Sequence, residues 1–301
     1  MSAKKGKGGI EVTSYSDWMS QLPSKLWTLP LFDLAIPGSH DSMSYDLDIS
    51  SAIIEPDRLR RFSRIYCIRS IVRTWGATQE DNITMQLEAG VRYFDLRIAR
   101  KRNDPNPTRL YFYHGLYTCT DTVLREIHAW AENHPREVII LAFSNFKGFE
   151  KNIAGQLHNH LISFIKTLFG SKLVHRSDTP MLKNCWEGGK NVIVSYDYPA
   201  SHHPEIWNKI TYYYANMLSF NLFSTGFFVC GLNLTLPEDA KILKYILRLC
   251  DSFTNVSHRS LPKLLKWLKQ QSGVNIVASD VATRDNFVSA VVQLNLALVK
   301  A

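Results

Sequence analysis

Three short segments in the first third of the chain constrain its fold more than any other feature. They are LAIPGSHDSMSY (Leu34 to Tyr45), VRYFDLRIA (Val91 to Ala99) and LYFYHG (Leu110 to Gly115). Each opens as an apolar, β-type run and closes on residues able to do chemistry: His40 with Asp41, Asp95 with Arg97, and His114. Strands that end in His, Asp or Arg, met three times over, predict an α/β barrel, which gathers its functional groups at the C-terminal ends of its strands. Two histidines, two carboxylates and an arginine collected there suit acid–base cleavage of a phosphodiester, because imidazole titrates near neutral pH.

The rest of the pattern carries the same alternation. Apolar or β-branched runs predict strands over Leu31–Ile36, Val91–Ile98, Leu110–His114, Glu137–Phe143, Asn191–Tyr196, Gly226–Leu232 and Val274–Ser279, the last delivering Asp280. Between them, helical spacing and caps predict helices over Asp17–Gln21, Arg58–Trp75, Asn82–Ala89, Thr122–Asn133, Asn152–Phe169, Ala240–Cys250, Leu261–Gln271 and Arg284–Leu298. Alternating βα units with about seven strands favour a TIM-type (β/α) barrel, irregular or incompletely closed, over an open sheet. The expected organisation is a flexible basic N-terminus over 1–15 and one barrel over 16–301. Arg92 and Glu88 read as surface or capping charges, and Met85, Met181 and Met217 as core fillers.

With 301 residues, 45% hydrophobic and 21% charged, the chain has the composition of a soluble globular protein able to bury a large core. No run approaches the roughly 18 apolar residues of a membrane span. The opening MSAKKGKGGIEV is basic without an apolar core, and Ser2 stands where myristoylation requires glycine. Cys67, Cys119, Cys185, Cys230 and Cys250 are dispersed, with no CxxC pair, and read as buried free thiols of a reducing compartment. Cytoplasm, with peripheral contact at membranes, is the expected location.

A net charge of +8 favours anionic partners. Basic residues cluster at Lys4–Lys7 and between Arg58 and Arg73, where Arg60, Arg64, Ile65, Ile68, Ile71 and Val72 are helically spaced. That segment reads as a solvated helix face ahead of a dedicated membrane contact. No nucleic-acid reader motif is present, so nucleic acid is not an expected partner.

The IPGSHDS, FDLR and HG elements, with DWMSQLP, WGATQ, QLEAGVRYFDLRIA and NIVASDV in order around them, resemble the PI-PLC X domain-containing protein family, built on the X domain of phosphatidylinositol-specific phospholipase C. The likeness runs over essentially the whole chain. It implies a phosphoric diester hydrolase that cleaves glycerophosphoinositides through a cyclic inositol phosphate. It makes His40 the base for the inositol 2-hydroxyl and His114 the acid for the departing diacylglycerol. It also pairs Asp41 with His114, and Asp280 with His40. The calcium-dependent members carry Glu-x-Asp where this chain has Asp95-Leu96-Arg97, and asparagine where it has Asp41; both differences imply a metal-free site without cofactor. A fixed guanidinium at Arg97 can neutralise phosphate oxygens as a metal would, and would repel Ca²⁺.

Asp95, Asn145 and Tyr196 are the expected substrate contacts. The bacterial relatives hold inositol with basic residues on the middle strands, where this chain shows Ser144-Asn145 and Ser195-Tyr196-Asp197, with Lys147 and Lys190 as candidate replacements. That difference argues against highly phosphorylated inositides as substrates. A phosphoinositide lipid and transient contact with an anionic membrane are therefore the implied partners. The rival reading is a catalytically idle barrel that binds inositol phosphates or anionic membranes. A glycerophosphodiester phosphodiesterase would need a carboxylate-rich metal site and ranks last.

Overall fold

The computed structural model describes residues 14–118, 122–214, 226–233 and 251–300. The helix expected over Ala240–Cys250, Lys4–Lys7, Cys119 and Met217 lie outside the described residues. Ten strands and eight helices follow one another in the described chain. They are β1 (Ile36–Ser39), α1 (Tyr66–Gly76), α2 (Ile83–Glu88), β2 (Tyr93–Arg100), β3 (Leu110–His114), β4 (Leu116–Tyr117), α3 (Val123–Asn133), β5 (Ile139–Lys147) and α4 (Ala154–Phe169). Then come α5 (Leu182–Glu187), β6 (Val192–Tyr196), β7 (Ile206–Asn208), β8 (Thr211–Tyr214), β9 (Phe228–Gly231), α6 (Phe253–Leu268), β10 (Ile276–Ser279), α7 (Phe287–Leu294) and α8 (Leu296–Lys300).

The main sheet runs β7-β6-β5-β2-β1-β10-β9-β8, and every neighbouring pair on that path is parallel. Its two ends, β7 and β8, are halves of one extended stretch broken at Lys209 and Ile210. The first half pairs with β6 and the second with β9, so the barrel closes through the chain rather than through a continuous ladder. Ser195 fills the break: its hydroxyl donates to Asn208 O and accepts from Ile210 N, each at 3.1 Å. The irregular α/β barrel expected from the sequence is the fold observed.

Val138 to Phe143 are nearly all inaccessible, as a parallel strand covered on both faces requires. Alternation along β2 sends Tyr93, Asp95 and Arg97 into the barrel's mouth and leaves Phe94, Leu96 and Ile98 in the apolar core. Ile127 and Trp130 of α3 pack into the same core.

Some boundaries differ from expectation for identifiable reasons. The first strand begins where the sequence suggested it would stop, because Leu31–Asp33 forms a 3₁₀ turn and Pro37-Gly38 sits inside β1. Pro37 precedes the first β1–β2 partner pair, Gly38–Tyr93, and its carbonyl still accepts from Arg92 N at 2.8 Å. A Cβ on Gly38 would lie 2.8 Å from the Tyr93 ring, so only glycine lets β1 and β2 approach here. The helix expected over Arg58–Trp75 splits into a 3₁₀ segment, Asp57–Phe62, and α1. At the split the Ser63 hydroxyl donates to Arg60 O and accepts from Ile53 N. Helix α6 starts at Phe253 rather than Leu261, because Ser252 caps it through Asn255 N while Pro262, which resembles a helix start, sits inside. Met85 is exposed rather than a core filler, and Cys67, on the solvent side of α1, is exposed while Cys185 and Cys230 are buried as expected.

Arg92 is no surface charge. It is fully buried below β2, where Nε and Nη2 donate to Glu137 Oε2 at 3.0 and 2.9 Å. Its remaining donors serve the carbonyls of Leu87, Val91, Tyr15 and Ser16.

Candidate functional site

The C-terminal ends of β1, β2 and β10 meet, and the β3–β4 hairpin folds antiparallel onto β2 beside them. This convergence brings His40, Asp41, Asp95, Arg97, His114 and Asp280 into one cluster. His40 Nδ1 lies 2.9 Å from Asp280 Oδ1. His40 Nε2 faces Arg97 Nη2 at 3.1 Å and Asp41 Oδ2 at 3.2 Å. His114 Nδ1 donates to Gly76 O at 2.6 Å, and its Nε2 lies 3.1 Å from the same Asp41 oxygen. Asp41 therefore sits between both imidazoles, while its other oxygen is ion-paired with Arg97 Nε. Asp95 reaches Arg97 Nη2 at 3.5 Å and accepts from Asp41 N at 3.2 Å.

The backbone holds these groups in unusual conformations. Asp41, Asn145 and Val281 all have positive φ (46°, 51° and 45°), Asp41 and Val281 just beyond the ends of β1 and β10 and Asn145 inside the last pleat of β5. Such angles cost energy for residues other than glycine, most of all for a β-branched valine, and they gather at functional sites. Gln79 ties two strand ends together by donating to His40 O and Ser279 O at 2.8 and 2.9 Å, and Thr78 adds a second bond to His40 O.

The charges set one another's proton affinities. Burial alone would push the His40 imidazole down. The Asp41 charge and the hydrogen bond and charge of Asp280 outweigh it, leaving His40 above its ordinary value. Burial would raise the Asp41 carboxyl, but Arg97, His114 and His40 together hold it below the usual range. Burial also acts against the Arg97 charge, and Asp41 with Asp95 more than compensates, so the guanidinium is held protonated.

Among the described residues one group, His40, Asp41 and Asp95, has donor atoms converging as a divalent ion would need. Arg97 already bonds both of those carboxylates, so a cation there would face like charge. The residues fit a guanidinium rather than a metal.

Beside the cluster opens a cavity of about 190 Å³ whose polar lining includes Asp95, Arg97, Ser144, Asn145, Ser195 and Lys209. The Tyr212 ring forms a wall, 6.2 Å from that of His40. Asn145, an expected contact, lines this cavity. Tyr196, another, does not: it is 1% exposed, and its hydroxyl lies 3.0 Å from His158 Nδ1 among Phe143 and Phe146. Strand alternation turns Ser195 inward in its place. Lys147 lies 3.9 Å from Glu55 and Lys190 3.2 Å from Asp178, and neither lines the cavity. The lysine that does is Lys209, bonded to Asp197 at 2.7 Å. Lys209 went unnoticed in the sequence because its place depends on the break between β7 and β8, which no motif marks. Asn233 was missed too, its amide 3.5 Å from His40 Nε2 and its oxygen accepting from Tyr212. Gln79, by contrast, had a signal in the WGATQ element.

A family model described as PI-PLC X 1 matches residues 71–284. PI-PLC X domain-containing protein 1 of Danio rerio is 39% identical, over 88% of this chain and 91% of its own. The Homo sapiens protein of that name is 38% identical, over 93% and 92%. Among solved structures, the phosphatidylinositol-specific phospholipase C of Staphylococcus aureus superposes with a TM-score of 0.65 at 17% identity, covering 93% of this chain and 97% of that one. The Listeria monocytogenes enzyme gives 0.60 at 18%, covering 94% and 99%. At such identities the structural likeness speaks for the fold, and the sequence matches speak for the family. The chain belongs to the PI-PLC X domain family.

Proposed function

We propose that the chain is a phosphoric diester hydrolase of the phospholipase C type, acting on glycerophosphoinositides without metal or cofactor, with residues 16–301 as the catalytic unit. One observation carries this reading: two histidines and one guanidinium meet on the same buried carboxylate, Asp41, at the edge of a polar cavity, with His40 also held by Asp280. His40 Nδ1 is engaged by Asp280, which leaves Nε2 to take the proton of the inositol 2-hydroxyl. The freed oxygen attacks phosphorus, and Arg97 neutralises the charge that builds on the phosphoryl oxygens. Both ring nitrogens of His114 face acceptors, an arrangement suited to a ring that gives a proton to the departing diacylglycerol oxygen. A cyclic inositol phosphate forms, and water opens it with the two roles reversed.

Asp95, Asn145, Ser195 and Lys209 are the proposed headgroup contacts. The proposed membrane contact is transient and electrostatic, with the cytoplasm as the location. Ile65 and Tyr66, 44% and 63% exposed, stand among the exposed Arg58, Arg60, Arg61 and Arg64 at the start of α1. No described helix is long and apolar enough to cross a membrane.

The test is release of water-soluble inositol phosphate from phosphatidylinositol vesicles, with and without EGTA, for wild type, His40→Ala and His114→Ala. Turnover that survives the chelator and drops by about 10²–10⁴-fold in each variant, the range for a lost general acid or base, is expected. Wild-type protein that binds vesicles without turnover would move the chain to the idle-scaffold reading.

A further inference from the structure

Asp280 directly follows β10 at 2% exposure, and its two oxygens face different elements. Oδ1 receives His40 Nδ1, while Oδ2 accepts from the Ser257 hydroxyl at 3.1 Å. Ser257 sits in the second turn of α6 and is 5% exposed. A buried helical serine commonly turns its hydroxyl back to the carbonyl one turn earlier, a local bond that needs no tertiary partner. This one is directed across to a carboxylate on another element. Helix α6 also packs on α1, whose last residue, Gly76, accepts the His114 Nδ1 proton. The same outer helix pair thus touches both imidazole systems.

We infer that Ser257 is a positioning residue for the proposed reaction, its hydroxyl sharing the Asp280 carboxylate with the His40 imidazole. The inference rests on that reading of His40 as a base. A carboxylate with one oxygen bonded to a hydroxyl carries less charge toward an imidazolium on the other. Ser257 therefore moderates the pull of Asp280 and keeps His40 available as a base nearer neutrality. The other groups facing His40 are Asp41 just past β1, Arg97 on β2, His114 on β3, Tyr212 on β8 and the Asn233 amide. The neighbouring His258 is engaged elsewhere, with Glu80 at 3.1 Å and Asp285 at 3.3 Å.

The test is an NMR titration of the His40 ring in wild type, Ser257→Ala and Ser257→Thr, which needs no turnover and so fails or succeeds apart from the proposed activity. Ser257→Ala should move the His40 midpoint up by roughly one to two pH units, the scale of one lost hydrogen bond to a charged group. The acid limb of kcat/KM should follow it, and Ser257→Thr, which keeps the hydroxyl, should restore both. If Ser257→Ala melts below the measuring temperature, Ser257→Cys, close in size with a weak donor, must shift in the same direction. An unchanged or lowered midpoint in the folded variant overturns the inference. Absence of wild-type turnover with the shift present would overturn only the enzymatic reading.

Discussion

Strand β2 and the residue before it carry two arginines five positions apart, one buried and one half-buried, and they are put to opposite uses. Arg92 lies at the N-terminal end of the barrel with every bond turned inward to Glu137 and backbone carbonyls. Arg97 lies at the C-terminal end, bonded to Asp41, Asp95 and His40, with its side chain 19% exposed toward the cavity. The proton affinities of the paired carboxylates differ accordingly. At Glu137 burial dominates and holds the carboxyl above its usual range in spite of Arg92. At Asp41 burial is outweighed by three cationic partners, and the carboxyl is held below that range. The first pair is a clamp that fastens residues 15–20 and α2 beneath the sheet, and its charges are costly to bury. The second is a charge cluster left open on one side, where a phosphate can enter. Barrels separate stability at one end from chemistry at the other in this way.

The sharpest way to break the comparison is to remove each guanidinium in turn. Arg97→Ala should lower kcat/KM on phosphatidylinositol vesicles by about 10³-fold, or ~4 kcal/mol of transition-state stabilisation, while the folded state survives. Arg92→Ala should cost roughly 3–5 kcal/mol of stability, because it strands a buried carboxylate, yet leave the kcat of the folded fraction close to wild type. Urea melts and initial rates on the same preparations separate the two. If Arg92→Ala lost turnover at full stability, the division of labour between the ends would be wrong.

The pH dependence sharpens the same contrast. His40 lies above its ordinary value, so it contributes stability fully below the unfolded imidazole value, and loses it as pH rises through the higher folded one. Asp41 is depressed, so its contribution is present above the unfolded carboxylate value and is lost as pH falls through the lower folded one. The cluster is therefore most stabilising between those limits, in mildly acidic solution. The proposed base works only when deprotonated, so the acid limb of kcat/KM should lie above the ordinary imidazole value near 6.5. A limb at or below that value would remove His40 from the role of base.

Much of this site was legible because each of its parts is local. His40 with Asp41 follows the end of β1 and Asp95 with Arg97 stands within β2, and an apolar run that takes up charged residues is visible without a structure. What escaped depends on pairing and register. Tyr196 and Ser195 are adjacent, and which one enters the cavity is decided by the pleat of β6, where a shift of one residue exchanges the faces. Arg92 reads as a surface charge until Glu137, 45 residues on, is placed beside it. Ser257 sits in a stretch of α6 that the start signal at Pro262 concealed, and its partner comes from another strand. Lys209 reaches the cavity only because the ladder breaks between β7 and β8.

Lys209 is also where the cavity's two sides can be told apart with the smallest effect. Its side chain is exposed and paired with Asp197, so it contributes weakly, as screened pairs do. If it touches the headgroup rather than the reacting phosphate, Lys209→Ala should raise KM by only a few fold, about 1 kcal/mol or less, and leave kcat unchanged. Asp197→Asn, which releases the lysine toward the cavity, should shift KM the other way. Steady-state kinetics on vesicles of fixed composition resolve both. A fall in kcat as large as that of Arg97→Ala would instead place Lys209 on the phosphate, and the boundary between charge cluster and headgroup pocket would have to be redrawn through β7.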